Sequence, residues 1–266
     1  MICREIIDTI EKRYPKECAM EWDNVGLLAG RYEKEVGKIY IALDATDEVI
    51  EDAASWGADM LVTHHPMIFK ALKKINDQSF IGRRVIRLIR EDIAYYAMHT
   101  NYDVMGMADL AGEFMEMKDP EILEETYPDE GIGRVADLKE AMTLEECCGF
   151  VKERLALPSV KVFGDPKKTV KRMAVSPGSG KSMIGPALAK GADVLVTGDI
   201  DHHEGIDALA QGLAIIDAGH YGTEYIFIAD MEQFLKEHFP EAEIRTAPVR
   251  HPFWVMYRSG NSFLCQ

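Results

Sequence analysis

The stretch GADMLVTHH, residues 57–65, returns later in the chain as GADVLVTGD, residues 191–199. Seven consecutive positions of the two copies are identical or exchange one apolar residue for another, which chance seldom produces. Repetition of a segment within a chain predicts repetition of a structural unit. The apolar run inside each copy has the length of one buried strand. The sequence therefore predicts the same motif twice.

The segments around the two copies also repeat in the same order. A short apolar run that follows a basic residue precedes each copy, KIYIALDAT from Lys38 and KRMAVSPGS from Lys171. Another apolar run follows each copy, IAYYAMHT from Ile93 and LAIIDAGH from Leu213. Each half of the chain is thus predicted to contain three strands in succession.

The segments between these runs have helical character. Residues 46–56 and 79–90 place apolar side chains three and four positions apart, as amphipathic helices do. Strands that alternate with such helices predict βαβ units and a mainly parallel sheet. The pattern changes within residues 118–160, where prolines and glycines interrupt it. We therefore expect an α/β fold of two related halves with mainly parallel sheets, residues 1–125 and 126–266.

The composition limits the class of protein. The chain has 266 residues, of which 47% are hydrophobic and 28% charged, as in globular proteins. Its formal net charge of −15 and its short basic runs do not provide the lysine and arginine cluster that nucleic acid requires. The sequence lacks an apolar run of about eighteen residues and its first residues are charged, which argues against a membrane span or signal peptide. We expect a cytoplasmic protein with reduced cysteines that binds neither nucleic acid nor membrane.

Histidine and acidic residues follow the predicted strands. In open parallel sheets, ligands bind beyond the carboxyl ends of the strands. Imidazole and carboxylate groups are the usual ligands of zinc, manganese and iron, and three histidines with two carboxylates suit two ions better than one. His220 and Glu224 are four residues apart, which places them on one face of a helical turn. The candidate ligands are His64, His65, Asp103, His220 and Glu224.

The single histidines carry a weaker signal than the pair. A lone histidine at a strand end is more often a hydrogen-bonded loop residue than a ligand, which applies to His99, His202 and His203. The adjacent pair His64 and His65 is harder to dismiss, because two imidazoles buried without a metal or an acid leave polar nitrogens unsatisfied. We expect His99 to support a ligand or to bind marginally. His99 and His203 are the candidates for a general acid or base.

A segment of the second half resembles a phosphate-binding loop. Residues 176–182 read SPGSGKS, but Val175 stands where such a loop requires its first glycine. ATP hydrolysis is therefore not indicated. Two interpretations remain at this stage, a set of backbone amides that holds an anion and a flexible turn between a strand and a helix.

A tryptophan lies in the loop that follows the first predicted helix. The sequence there is Trp22-Asp23-Asn24. Packing by Trp22 and turn formation by Asn24 are the simpler interpretation, and contact with a substrate is the alternative.

Five motifs together resemble a known family. EWDNVGLLAG, LVTHHPMIF, MHTNYD, LVTGD and GHYGTE occur in this order and are similar to those of the YbgI-type, NGG-interacting-factor-like family of dinuclear-metal proteins. The resemblance implies a subunit of two α/β halves in a toroidal homo-hexamer whose metal sites face an internal cavity. It also implies that the ligands are His64, His65, Asp103, His220 and Glu224. Members are often labelled as a second type of GTP cyclohydrolase I.

These observations lead to one leading functional hypothesis and two rivals. Two divalent ions, zinc or manganese, iron or cobalt, carry more positive charge than Asp103 and Glu224 return, so the site should attract anions. We expect metal-assisted hydrolysis of a nucleotide-like or other anionic small substrate. The alternative is a non-catalytic metal-binding or metal-handling scaffold. A DNA-binding regulator is the least supported because the chain is acidic.

Overall fold

The computed structural model of the chain describes residues 1–259 and 262–265. The chain forms two compact units, and each contains its own β-sheet with helices. The prediction of two α/β halves is therefore confirmed. The first unit consists of residues 1–107 and 225–248, and the second of residues 108–224 and 249–266.

The predicted division near residue 125 differs from the division into compact units. The chain leaves the first unit after Met107 and returns to it at Tyr225. The physical reason is a parallel strand pairing, because residues 243–246 pair with residues 38–41, about two hundred positions earlier. Such a long-range pairing leaves no local mark in the sequence.

The first unit is built on a five-stranded sheet of order β1-β4-β3-β2-β11, numbered along the whole chain. Neighbouring strands are parallel except that β1 is antiparallel to β4. The strands β2, β3 and β4 are almost entirely buried, as expected where helices cover both faces. The strands are β1 (Gly26–Ala29), β2 (Lys38–Ala42), β3 (Met60–Thr63), β4 (Ala94–Ala97) and β11 (Glu243–Thr246).

The helices of the first unit begin and end at residues suited to those positions. Helix α2 begins after Thr46, whose hydroxyl accepts the amide of Val49 at 3.2 Å, and ends at Gly57, with φ of +75°. The helices predicted over 46–56 and 79–90 are thus confirmed. The helices are α1 (Cys3–Arg13), α2 (Asp47–Trp56), α3 (Phe80–Arg90), α4 (Thr100–Tyr102), continued by a π turn (Asp103–Met107), and α10 (Ile226–His238).

The second unit is built on a six-stranded sheet of order β5-β6-β8-β9-β10-β7. The central strands β8, β9 and β10 are parallel, as the repeat predicts. The outer pairings are antiparallel, so the sheet is mixed rather than mainly parallel. The two-residue connection between β5 and β6 explains one of them, because a hairpin can join only antiparallel strands. The strands are β5 (Glu121–Tyr127), β6 (Glu130–Thr143), β7 (Lys161–Phe163), β8 (Thr169–Ser179), β9 (Val194–Gly198) and β10 (Ala214–Asp217).

The second unit also contains five α-helices and a terminal hairpin among the described residues. Residues 256–259 form a strand that pairs antiparallel with residues 262–265. In the described part of the chain, no helix is both long and apolar enough to cross a membrane. The elements are α5 (Ala108–Phe114), α6 (Leu144–Arg154), α7 (Ile184–Ala189), α8 (His202–Ala210), α9 (His220–Glu224), β12 (Met256–Ser259) and β13 (Ser262–Cys265).

The repeated aspartate of the GAD motif does the same work in both units. Asp59 accepts the backbone amides of Gly37 and Lys38, at 2.9 and 3.0 Å. Asp193 accepts the amides of two consecutive residues of β8, at 2.7 and 3.0 Å. Each carboxylate therefore ties the beginning of one central strand to the strand beside it, which explains why the motif occurs twice.

Replacing Asp193 with alanine is expected to lower the free energy of unfolding by about 1–2 kcal/mol, because two backbone amides lose a charged acceptor at a partly exposed position. Chemical denaturation measures this change. Asp207→Ala is the control, since Asp207 is an exposed residue of α8 and its replacement should change stability by less than about 0.5 kcal/mol. Equal effects of the two substitutions would contradict this role of Asp193.

Three of the four described cysteines are buried, and Cys148 is partly buried. Cys3, Cys18, Cys147 and Cys148 carry free thiols. Burial raises the pKa of Cys3 to about 11 and the pKa of Cys147 to about 12, so these two thiols stay protonated. The side chain of Cys265 lies outside the described part of the chain, and the redox state of the cysteines stays a prediction.

Candidate metal centre

The first unit gathers histidines at the carboxyl ends of its parallel strands. His64 and His65 directly follow β3, and His99 comes two residues after β4. Because β3 and β4 are parallel, these ends meet at one edge of the sheet. One ring nitrogen from each of the three histidines lies within 4.8 Å of the others. Asp103 begins the π turn close by, and such turns are frequent at functional sites.

The surroundings of His64 are suited to a cation. The side chain is fully buried, and its Nδ1 lies 3.1 Å from the carbonyl oxygen of Met98. A carbonyl oxygen only accepts, so Nδ1 carries the proton and Nε2 of the neutral ring carries the lone pair. Nε2 lies 3.3 Å from Oδ1 of Asp103. A lone pair and a carboxylate oxygen repel each other unless a proton or a metal ion lies between them.

His65 and His99 are held by carboxylates through the same nitrogen. Nδ1 of His65 donates to Asp44 at 2.8 Å, and Nδ1 of His99 lies 3.0 Å from both carboxylate oxygens of Asp23. Asp23 also accepts the amide and the hydroxyl of Thr100. Burial opposes the ionisation of Asp23, but the hydrogen bonds from His99 and Thr100 outweigh it and lower its pKa to about 2. Asp23 is therefore a carboxylate that fixes the His99 ring.

The second unit places His220 and Glu224 together. They are the first and last residues of α9, which confirms the helical spacing predicted for them. Nδ1 of His220 donates to Asp199 at 2.7 Å, while Nε2 lies 3.0 Å from Oε2 of Glu224. The Glu224 side chain is buried and that of His220 is one-third exposed. Asp199 follows β9, so this group also lies at strand ends.

The segment that resembles a phosphate loop encloses Glu224. At Gly178, whose φ is +72°, an added Cβ would lie 2.2 Å from Oε1 of Glu224 and 3.5 Å from Nε2 of His220. The Gly178 amide donates to the hydroxyl of Thr223 at 2.9 Å, and the Gly180 amide donates to a backbone carbonyl of β9 at 3.1 Å. These two amides are therefore engaged within the protein, and the segment makes room for a carboxylate rather than for a phosphate.

One chemical pattern recurs across both units and fits a divalent metal. The four histidines described above, His64, His65, His99 and His220, each use Nδ1 to donate to a carboxylate or a carbonyl. This leaves the lone pair of each neutral ring on Nε2. This is the usual arrangement of histidines that bind metal through Nε2. In each unit one Nε2 also faces a carboxylate oxygen, of Asp103 or of Glu224. The residues therefore fit the metal set that the sequence predicts.

Removing the carboxylate that holds His220 should weaken metal binding without removing a ligand. We expect Asp199→Ala to lower metal affinity about tenfold, the lower end of the usual range because Asp199 is half exposed. Competition with a chelator of known affinity measures the change. Asp201→Ala is the matched control, because Asp201 is a nearby exposed aspartate 3.9 Å from Lys181. Equal losses in the two variants would contradict the role of Asp199.

The two histidines predicted as acid or base candidates have different surroundings. His99 lies in the histidine group of the first unit, where Asp23 holds its ring. His203 is an exposed residue in the first turn of α8, where its ring contacts that of His202.

Sequence reasoning missed Asp23, Asp44 and Gly178. Asp44 comes two residues after β2, so the rule that found the histidines at strand ends would also have found it. Asp23 comes before β1, away from the strand ends, and the sequence gives no spacing that joins it to His99. The importance of Gly178 depends on a backbone conformation and on a neighbour 46 positions later, neither of which the sequence reveals.

An open cleft in the second unit reaches His220. Its volume is about 820 Å³, which is large enough for a small-molecule substrate. Lys161 contacts Asp217 at 2.7 Å within this cleft. The side chains of Lys161 and Lys181 are both more than half exposed. The lining includes Lys161, Lys181, Asp199, Asp217, His220 and Phe253.

Known proteins resemble this chain in both sequence and structure. Residues 1–252 match the model of the family Duf34/NIF3 (NGG1p interacting factor 3). The chain is 36% identical to a GTP cyclohydrolase 1 type 2 homolog of Clostridium perfringens (strain 13 / Type A), over 89% of this chain and 92% of that protein. The structure is similar to a Bacillus cereus protein related to NIF3, with 26% identity, a TM-score of 0.88 and coverage of 95% and 98% of the two chains. It is also similar to reduced HcgD from Methanocaldococcus jannaschii, with 33% identity, a TM-score of 0.81 and coverage of 92% and 97%.

Proposed function

The chain belongs to the Duf34/NIF3 family, and from this premise we propose that it is a metal-dependent hydrolase with two divalent ions per subunit. The observation that carries the proposal is the recurring histidine geometry, in which Nδ1 is held and Nε2 faces a carboxylate in each unit. Zinc, manganese, iron and cobalt all accept this donor set. The proposed ligands are His64, His65, Asp103, His220 and Glu224.

The ions would supply Lewis-acid polarisation of the substrate and would lower the pKa of water. The protein's own residues do the remaining work. Asp44, Asp23 and Asp199 fix the orientation of three rings by accepting their Nδ1 protons. We propose His99 as the better placed candidate for proton transfer, because it belongs to the histidine group, and we keep exposed His203 as the second candidate.

The proposed substrate is a nucleotide-like or other anionic small molecule. The cleft beside His220 has room for such a molecule. Lys161 and Lys181 at its wall lie beside Asp217 and Asp201, and both lysine side chains are more than half exposed. Bound ions would add further positive charge. The GTP cyclohydrolase 1 type 2 label of the Clostridium perfringens relative agrees with a nucleotide-like substrate.

The proposal is tested by turnover of the metal-loaded protein on a panel of nucleotides. Released phosphate reports hydrolysis at the phosphate end of a nucleotide, and a change in absorbance reports hydrolysis of its base. We expect saturable turnover that falls at least a hundredfold in His220→Ala, whose side chain is a proposed metal ligand and reaches the cleft. Metal bound tightly with no turnover of any nucleotide or phosphate ester would remove the hydrolase proposal.

The exposure of the candidate ligand site in the second unit favours a metal-handling protein as the second candidate function. His220 is one-third exposed and Asp199 half exposed, so an ion bound there would be accessible to exchange. The rate at which a chelator removes the metal separates the candidates. A metal carrier should release its ions within minutes and show no turnover, whereas a hydrolase should retain them through many turnovers.

We also propose a homo-hexameric assembly and a cytoplasmic location. The hexamer rests on the resemblance to ring-forming proteins of the family. Light scattering is expected to give six times the subunit mass of 29.9 kDa. A monomeric or dimeric mass at micromolar concentration would contradict the hexamer and leave the metal ligands unaffected.

A further inference from the structure

The loop of residues 22–24 has a distinct role for each of its three residues. Asp23 holds the His99 ring, as described above. Asn24 donates from its side-chain amide to the carbonyl oxygen of Ile68 at 2.5 Å, which ties this loop to the one that follows the His64 and His65 pair. Trp22 is 64% exposed, so most of its side chain does not pack against the protein. A large apolar side chain is therefore held at the surface by its two neighbours.

A second exposed aromatic residue contacts the same histidine. Phe69 is 50% exposed, and its ring centroid lies 5.7 Å from that of His99. The centroid of Trp22 lies 5.9 Å from that of His99. Both rings stand nearly perpendicular to the imidazole, at 73° and 80°. Asn24 joins the two loops that carry these rings, and both rings contact His99.

We infer that Trp22 and Phe69 form an aromatic platform that stacks the planar heteroaromatic ring of the substrate next to His99. The inference rests on the proposed function and extends it, because it states which part of the substrate is recognised and by which residues. Aromatic side chains stack on planar rings of any base, since every base presents a π face. Two aromatic rings that are at least half exposed are available for such stacking.

The area of the platform fits a ring better than a protein. Two aromatic side chains bury about 150–250 Å² each when fully covered, so two that are already partly covered offer on the order of 200–300 Å². A stable protein interface needs about 800 Å² from each partner. The platform alone is too small for such an interface, whereas one bicyclic ring covers it.

The test compares two probes that differ only in the ring. Guanosine 5′-monophosphate and ribose 5-phosphate are titrated calorimetrically into the metal-loaded protein. We expect the native chain to bind the nucleotide at least tenfold more tightly than the sugar phosphate. Trp22→Leu and Phe69→Leu should each weaken nucleotide binding about fivefold or more, with sugar phosphate binding unchanged. Trp22→Phe should retain most of the ring preference.

Tyr127→Leu is the control and should leave binding of both probes unchanged, because Tyr127 is also an exposed aromatic residue but lies at the end of β5 and not in the lining of the cleft. Equal binding of the two probes by the native chain would overturn the inference. So would equal weakening of both probes by the platform variants, or a change in oligomeric mass that accompanies the loss of binding. Metal content is measured on the same samples. If the protein contains metal but does not prefer the nucleotide to the sugar phosphate, only the platform is overturned. If it prefers the nucleotide but contains no metal, only the proposed function is overturned.

Discussion

Alanine at Gly178 is expected to remove at least one of the two metal ions although every ligand remains in the chain. The added Cβ would lie 2.2 Å from Oε1 of Glu224, which no real contact tolerates, so the buried carboxylate has to leave its place beside His220. A displaced carboxylate no longer shares an ion with Nε2 of His220. Metal analysis after gel filtration measures the loss.

Gly191→Ala is the control for this substitution. Gly191 has a φ of +70°, close to the +72° of Gly178, but an added Cβ meets no atom within 4 Å. Both variants therefore bear the cost of a left-handed alanine, about 1–2 kcal/mol, and only one of them disturbs the ligands. Metal retained in Gly178→Ala, or lost equally in Gly191→Ala, would contradict the role of Glu224 as a ligand.

Replacing Asp103 with asparagine is expected to lower stability when metal is bound but not when metal is absent. In the metal-free protein the carboxylate faces the lone pair of His64 Nε2 at 3.3 Å, so an uncharged amide that donates a hydrogen bond should leave stability unchanged or raise it. In the metal-loaded protein the same variant loses a charged ligand. The stabilisation by metal, about 4 kcal/mol at a thousandfold excess over the dissociation constant, should then fall by more than half.

Thermal unfolding with added metal and with a chelator measures both effects. The experiment separates a metal site from an ordinary ion pair. If His64 were an imidazolium paired with Asp103, the asparagine variant would destabilise the metal-free protein, because a buried cation would lose its counter-charge. Destabilisation without metal, together with an unchanged response to metal, would contradict the assignment of Asp103.

Most of the central sheet structure could be predicted from the sequence. The GAD repeat marks equivalent strands, and the paired roles of Asp59 and Asp193 explain why the repeat is visible at all. The antiparallel strands around the second sheet were not predicted, because a hairpin such as that of β5 and β6 carries no apolar run like those of the repeat. The limits of the units were not predicted either, because they depend on the pairing of β11 with β2.

The metal site was predicted from where residues lie relative to the strands rather than from their residue type. Residues that follow parallel strands were candidates, and the structure brings His64, His65 and His99 together at such ends. The carboxylates that hold these histidines could be identified only from the structure. The place of Asp23 depends on contacts with His99, 76 positions away, and the exposure of Trp22 cannot be read from a sequence in which tryptophan usually indicates packing.

The central claim is that five side chains hold two divalent ions, and metal content tests it most directly. The measurement is metal per subunit, by mass spectrometry, in protein purified without added metal, for the native chain and for a His64→Ala, Glu224→Ala variant that removes one ligand from each unit. We predict about two equivalents in the native chain and close to none in the variant, with the fold retained by circular dichroism. No bound metal in the native chain, or equal metal in both proteins, would contradict the account.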